Sequence, residues 1–214
     1  EVELLACWIL QGDVVAGDLS ELTLEELEVH HRVLLRVEIQ VVPELADLLD
    51  GILRSNPGDK VVVFAQRPET VAAIASRVAA RIDQSPPSDA SVHSSVTHPV
   101  AVALLGTASH RAAVLESFNS NTDDSPRVLC MSYGHHASGL NLHVANHVVV
   151  AHPFAARNIA PGAPDLTPLA SAMAYETQAV GRVARYPQGK TCHVYRMFAV
   201  GTVEEELYAV WGLV

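Results

Sequence analysis

From residue 43 onward, short apolar runs alternate with stretches in which apolar residues recur every three or four positions. Between Pro43 and Arg54, Leu45, Leu48, Leu49, Ile52 and Leu53 fall at helical spacing, and Asn56-Pro57-Gly58 ends the helix. Val61 to Ala65 follows as an apolar run without alternation, the pattern of a strand buried on both faces of a parallel sheet. Pro68 to Arg81 is predicted helical, with Val71, Ile74, Ala75 and Val78 on one face. Strands are then expected at Val100–Leu105, Arg127–Met131, His147–Ala151 and His193–Met197, and helices at Ser109–Phe118, Ala172–Ala184 and Thr202–Val210. The Ser/Pro-rich stretch 84–97 and the Ala/Pro-rich stretch 155–170 read as loop insertions. Strand–helix alternation predicts an α/β fold, an open and mostly parallel sheet with helices on both faces, over residues 43–214. Residues 1–42 read as an acidic N-terminal segment, a linker or the end of a preceding module. Its one local signal is the capping box Thr23-Leu24-Glu25-Glu26, opening a short helix towards His30.

Composition narrows the class. With 214 residues, 49% hydrophobic and 18% charged, the chain can bury a core and is not a disordered polymer. No apolar run reaches the roughly 18–20 residues that span a bilayer, so no membrane partner is expected. There is no basic-then-apolar leader with a small-residue cleavage site. Cys7, Cys130 and Cys192 lie far apart without a C-x-x-C, which excludes a disulfide framework and points to a reducing, intracellular setting. The first residue is Glu rather than Met, so a larger parent is expected. The net charge of −10 divides unevenly: −9 over residues 1–58, +2 over 59–200 and −3 over the last 14. The arginines are concentrated in the middle, which leaves room for a composite site on an acidic chain.

Open parallel sheets bind ligands in the loops after their strands. Gln66-Arg67 follows the first apolar strand, and Ser132-Tyr133-Gly134-His135-His136-Ala137-Ser138-Gly139-Leu140-Asn141-Leu142 follows the Arg127 strand. A third segment, Gln178 to Lys190, precedes the last strand. On a helix, Gln178, Gly181, Arg182 and Arg185 fall at i, i+3, i+4 and i+7 and share one face. Two guanidinium groups beside a glycine suit polyphosphate oxygens. Taken alone, the same pattern also reads as a solvated basic helix face.

The order of these segments resembles the C-terminal RecA-like lobe of the Swi/Snf-related branch of superfamily 2 helicases, over about residues 43–210. Val61-Val62-Val63-Phe64-Ala65-Gln66 is similar to motif IV, Ser132 with Gly139-Leu140-Asn141-Leu142 to motif V, and Gln178, Gly181, Arg182 and Arg185 to motif VI. Gly201-Thr202-Val203-Glu204-Glu205 resembles the family's last helix start, a packing feature. The resemblance implies the motor lobe of an ATP-dependent DNA translocase or chromatin remodeller. Arg182 and Arg185 would be its catalytic arginines, with Arg185 as the finger on the γ-phosphate. Gly139, Asn141, Gln178 and Gly181 would join them at the nucleotide, and Gln66, Ser132 and Ser138 would face nucleic acid. It further implies ATP with Mg2+, an N-terminal RecA-like lobe carrying the magnesium ligands, double-stranded DNA, nucleosomes or DNA-bound proteins as partners, and a nuclear location.

The chain departs from the family at His136-Ala137, where two glycines are usual, and at Arg185-Tyr186-Pro187-Gln188, where R-x-G-Q is usual. Gly189-Lys190-Thr191 imitates the end of a phosphate-binding P-loop. However, Ala184 replaces its first glycine and the segment leads from helix to strand. Without a P-loop lysine or a D-E pair, hydrolysis by these residues alone is not expected. His143 and His147 have H-x-x-x-H spacing but lead into a strand, where i and i+4 lie roughly 13 Å apart, so no metal is expected. Cys130 reads as a buried small hydrophobe, and Leu207, Val210 and Trp211 as packing residues. Two readings stay open: the motor lobe, and a catalytically degenerate RecA-like lobe kept as a protein-interaction or regulatory module. A Rossmann-type small-molecule enzyme is disfavoured, since no G-x-G-x-x-G follows the first strand.

Overall fold

The computed structural model describes residues 2–6, 43–83, 99–120, 122–133, 139–154, 167–200, 203–210 and 213. The capping box at Thr23, the 84–97 insertion, Ser138 and residues 155–166 lie outside the described residues. Six strands form one sheet: β1 (Val2–Ala6), β2 (Val61–Ala65), β3 (Ala101–Ala103), β4 (Val128–Ser132), β5 (His147–Val150) and β6 (Cys192–Arg196). Their order is β1-β6-β5-β2-β4-β3, and every pairing is parallel. The helices are α1 over 43–55, α2 (Pro68–Asp83), α3 (Ala108–Asn119), α4 (Thr167–Val183) and α5 (Val203–Val210).

Alternation along the strands divides the core in two. Val61, Val63, Ala65, Val128, Cys130 and Val149 face Leu45, Leu49, Ile52 and Leu53 of α1 and Val71, Ile74 and Val78 of α2. Val62, Phe64, Leu129, Met131, Val148, Val150 and Val194 face Phe118 of α3 and Ala179 and Val183 of α4. Both faces are covered, which explains why these strands carry no polar alternation. Cys130 is buried, and burial pushes its thiol up to about 12, consistent with a small core residue.

The boundaries differ from the sequence expectation where local chemistry decides them. β3 is only three residues long: Leu105 N–H turns back onto Ala103 O (3.0 Å), Gly106 follows at φ +85, and Thr107 accepts from His110 N–H to start α3. α4 begins at Thr167, inside the stretch read as a loop; Pro168 in the first turn lacks an N–H that a helix start would leave unpaired. β1 was not expected at all. It pairs with β6 from Val2↔Cys192 to Ala6↔Arg196.

Two cations organise the edge of the sheet where the strands begin. Lys60, just before β2, donates to Phe118 O (2.5 Å), Ser120 O (2.6 Å) and Ser125 Oγ (2.8 Å), closing the C-terminus of α3. Its ammonium also lies 5.2 Å from the Phe118 ring centroid. Arg127, just before β4, donates to Leu53 O (3.1 Å), Asn56 O (2.6 Å) and Asp59 O (3.2 Å), closing α1. Both place positive charge at helix C-termini, where unpaired carbonyls and the helix dipole favour it. Burial pushes the Lys60 ammonium down, and the Arg127 charge adds to this.

Asp59 gathers the neighbouring strand starts. Its carboxylate accepts from Asn146 Nδ2 (2.8 Å), His147 Nε2 (3.0 Å) and Lys190 Nζ (2.5 Å). Lys190, the lysine of the P-loop-like segment, is thereby a structural cation. Burial alone would raise the Asp59 carboxyl, but hydrogen bonds from Asn146, Lys190 and His147, with the Lys190 charge, hold it down at about 2. Burial pushes the His147 imidazole down. Its Nδ1 lies 3.2 Å from Tyr195 Oη and its ring stacks on His193 at 4.9 Å.

Two outcomes follow. Lys60→Met keeps the apolar stem but strands buried acceptors, and should cost this chain about 2–3 kcal/mol in urea denaturation. Exposed Arg77→Ala should change stability by less than ~0.5 kcal/mol. Asp59 has a depressed folded-state pKa, so its contribution is full above the ordinary 3.8 and is lost as pH falls towards about 2. Asp59→Asn should therefore lower stability at neutral pH and flatten the loss of stability across that acid window. An unchanged acid limb would contradict the assignment.

Candidate functional site

The sequence-selected residues fall into two groups, and the topology separates them. The parallel register aligns Ala65 with Ser132, Phe64 with Val150, and Val150 with Arg196, so these strand ends lie along one edge. Gln66 and Ser132 belong there. The Gln66 N–H donates to His152 Nε2 (3.0 Å), and His152 Nδ1 lies 3.2 Å from Pro153 O. That pairing fixes the tautomer with the proton on Nδ1 and ties the β2 and β5 ends together. Gln66 is half-buried, whereas Ser132 is buried. Ser132 is followed by buried Tyr133, stacked on Phe64 at 5.4 Å and edge-on to Phe154 at 5.3 Å. Ser132 is thus buried at the end of β4 rather than exposed.

The arginines lie towards the opposite edge. α4 connects β5 to β6, which are parallel, so it runs back across the sheet and delivers its last turn to the start of β6. The segment 178–190 therefore lies on the helix and turn that lead into β6, away from the carboxyl edge. Gln178, Gly181 and Arg182 are on α4; Arg185 is not, because the helix ends at Val183. Pro187 disfavours helical backbone at Tyr186, and the chain instead turns with Arg185 N–H on Val183 O (2.8 Å) and Gln188 N–H on Arg185 O (2.8 Å).

The motif V-like and motif VI-like segments are bonded to one another. Leu142 N–H donates to Arg182 O (3.0 Å). Gln188 Nε2 donates to His143 O (3.0 Å) and Ala145 O (2.6 Å), and its Oε1 accepts from Lys190 N–H (2.9 Å). These bonds hold Gly139 and Asn141 on the same stretch of chain that abuts Arg182. Gly139 has φ +86, a left-handed conformation that favours glycine. Asn141 is exposed and its Oδ1 lies 3.1 Å from His143 Nδ1.

Gln178, Gly181 and Arg185 are exposed, and Arg182 is half-buried. The Arg182 Nε is buried with no hydrogen-bond partner among the described residues. A side chain built at Gly181 would meet nothing within 4 Å. An exposed helical glycine costs about 1 kcal/mol relative to alanine, and no packing among the described residues requires it. The surface around Arg182 therefore combines an orphaned cationic donor, a second exposed guanidinium and a backbone open to close approach. Its chemistry suits oxygen-rich anions.

Gln188 and the Leu142–Arg182 bond were not selected from the sequence as site elements. The departure from R-x-G-Q had drawn attention only to the proline, while the retained Gln188 carries the strap. Among the described residues, no group of three or more His, Cys, Asp or Glu is placed to hold a metal ion. No helix among them is long and apolar enough to cross a membrane.

No protein-family model matches the chain. Sequence relatives are nevertheless clear. The human DNA repair and recombination protein RAD54-like is 32% identical over 165 residues, covering 76% of this chain and 18% of that protein. The DNA (cytosine-5-)-methyltransferase DMT5 of Cryptococcus neoformans var. grubii is 37% identical over 108 residues, 50% of this chain and 4% of that protein. The Drosophila melanogaster transcriptional regulator ATRX homolog is 32% identical over 98 residues, 46% of this chain and 6% of that protein. The chain thus spans a small part of each relative. In structure, the C-terminal part of the Fun30 ATPase domain matches with TM-score 0.54 and 16% identity, over 79% of this chain and 44% of that one. The Pyrococcus furiosus Hef helicase domain matches with TM-score 0.50 and 19% identity, over 80% and 28%. Relatives and fold agree with the motif order: the chain is a RecA-like lobe of the helicase C-terminal type, homologous to Swi/Snf-related proteins.

Proposed function

We propose that the chain is the C-terminal motor lobe of an ATP-dependent DNA translocase or remodeller, working with an N-terminal RecA-like lobe that binds ATP. The observation that carries this reading is Arg182, whose buried Nε has no partner among the described residues, on a helix face left open by Gly181. An unpaired buried donor is costly unless an acceptor meets it in the working state. Phosphate oxygens presented by a second lobe would supply that acceptor.

In this reading Arg182 and Arg185 place positive charge where negative charge develops on the transferred phosphoryl group. Gln178 and the Gly139–Asn141 backbone line the same surface. The donors here are guanidinium, amide and backbone N–H groups, which fit phosphate; carboxylates on the N-terminal lobe would hold Mg2+, whose charge would offset that of the phosphates. The strap from Leu142 and Gln188 holds the arginine turn against the motif V-like segment, so lobe closure moves them as a unit. Gln66, Ser132 and Ser138 would face the backbone of double-stranded DNA. The homologues named for DNA repair and transcriptional regulation support DNA as the substrate surface and the nucleus as the location.

The test is ATP turnover by the full-length natural protein, with and without duplex DNA. Arg185→Ala should lower DNA-stimulated kcat by about 10³-fold or more with ATP binding retained, the effect of removing an arginine finger. A wild-type protein with both lobes folded and no DNA-stimulated turnover would sink the motor reading and favour a regulatory module.

A further inference from the structure

Helix α4 buries Glu176, Ala179 and Val183 among its described side chains, at i, i+3 and i+7. Ala179 and Val183 are small, and apolar burial is non-directional. Glu176 adds a directional contact. Its Oε1 accepts from Arg196 Nε at 2.5 Å, with the two side chains 3% and 17% exposed. Tyr133 and Tyr208 are buried close enough to feel both charges, and the Tyr133 hydroxyl has no hydrogen-bond partner among the described residues. Burial pushes the Glu176 carboxyl up, while Arg196 opposes that shift.

Four elements meet at this pair: the residue after β4, the middle of α4, the end of β6 and α5. A buried ion pair is a poor source of net stability, because desolvation offsets its attraction; apolar residues of equal volume would pack as well. What it adds is direction, since a carboxylate and a guanidinium bond in few geometries. Tyr133 also leads directly from Ser132 and stacks on Phe64, two residues before Gln66. The pair thus sits near Tyr133, the residue after Ser132, while Glu176 belongs to the arginine helix.

We propose that the Glu176–Arg196 pair is the joint that sets the rotation of α4 and links the Gln66–Ser132 edge to Gln178, Gly181 and Arg182. Glu176 is a positioning residue: it acts through Arg182 rather than on a substrate. The functional consequence rests on the motor reading; the orientation of α4 does not.

The experiment uses the full-length natural protein carrying Glu176→Gln, Glu176→Asp or Arg196→Lys, with two readouts. Peptide-level hydrogen exchange should show α4 amides over 176–183 exchanging at least ~tenfold faster in Glu176→Gln, with β2 and β4 peptides unchanged and Glu176→Asp close to wild type. DNA-stimulated kcat for ATP should fall about tenfold in Glu176→Gln, while KM for ATP and the affinity for duplex DNA shift less than about threefold; Glu176→Asp should recover most of the loss. Unchanged α4 exchange in Glu176→Gln would overturn the joint. So would exchange rising equally in every peptide of both Glu176→Gln and Arg196→Lys, which would mean the pair merely stabilises the lobe. Were wild type inactive with DNA while α4 exchange still responded as expected, the motor reading would fail and the orienting role would stand.

Discussion

In an all-parallel sheet, every strand must be reached by a chain that has crossed back over one face. That constraint shapes everything else in this lobe. It requires helices on both faces, strands apolar on both sides, and a crossover helix whose last turn lies at the edge where strands begin. The arginines of α4 are carried to that edge because α4 joins β5 to β6. Gln66 and Ser132 stay at the other edge because they end β2 and β4. Two groups of residues that lie in one motif series are thus held apart by the sheet, and any communication between them has to run through the lobe. Leu142 and Gln188 bond the arginine segment to the stretch leading into β5, and the Glu176–Arg196 pair bonds α4 to the end of β6.

Much of the architecture is legible in the sequence. The unalternating run at Val61 predicts a buried parallel strand, and Leu45 to Leu53 predicts a helix packed on it, because both patterns are consequences of burial. The boundaries that go astray are those set by backbone detail. The turn of Leu105 onto Ala103 shortens β3, and Pro168 allows α4 to start early. β1 is illegible for a different reason. Its segment, Val-Glu-Leu-Leu-Ala, carries a charge and no turn signals, and its partner strand lies some 190 residues away in sequence, at Cys192 to Arg196.

Candidate site residues were chosen by kind and spacing, and spacing reports a helix face only while the helix lasts. Gln178, Gly181 and Arg182 share α4 as expected, whereas Arg185 belongs to the turn beyond it. Exposure is the other property that spacing cannot supply. Ser132 reads as an accessible hydroxyl in the sequence, but at the end of β4 it is buried. The bonded partners of the site, Gln188 with His143 and Ala145 or Glu176 with Arg196, are tertiary pairs. Nothing in a single sequence announces which residues will meet.

The cations at the strand starts have a consequence for how such a lobe could hold a polyanion. Lys60 and Arg127 are committed to helix carbonyls, Lys190 to Asp59, and Arg196 to Glu176. The small positive balance of residues 59–200 therefore overstates the charge available at the surface. Counterion release scales with the number of phosphates neutralised by cations. With Lys60, Arg127 and Arg196 turned towards partners inside the lobe, the number of phosphates its surface could neutralise is smaller than its count of lysines and arginines suggests.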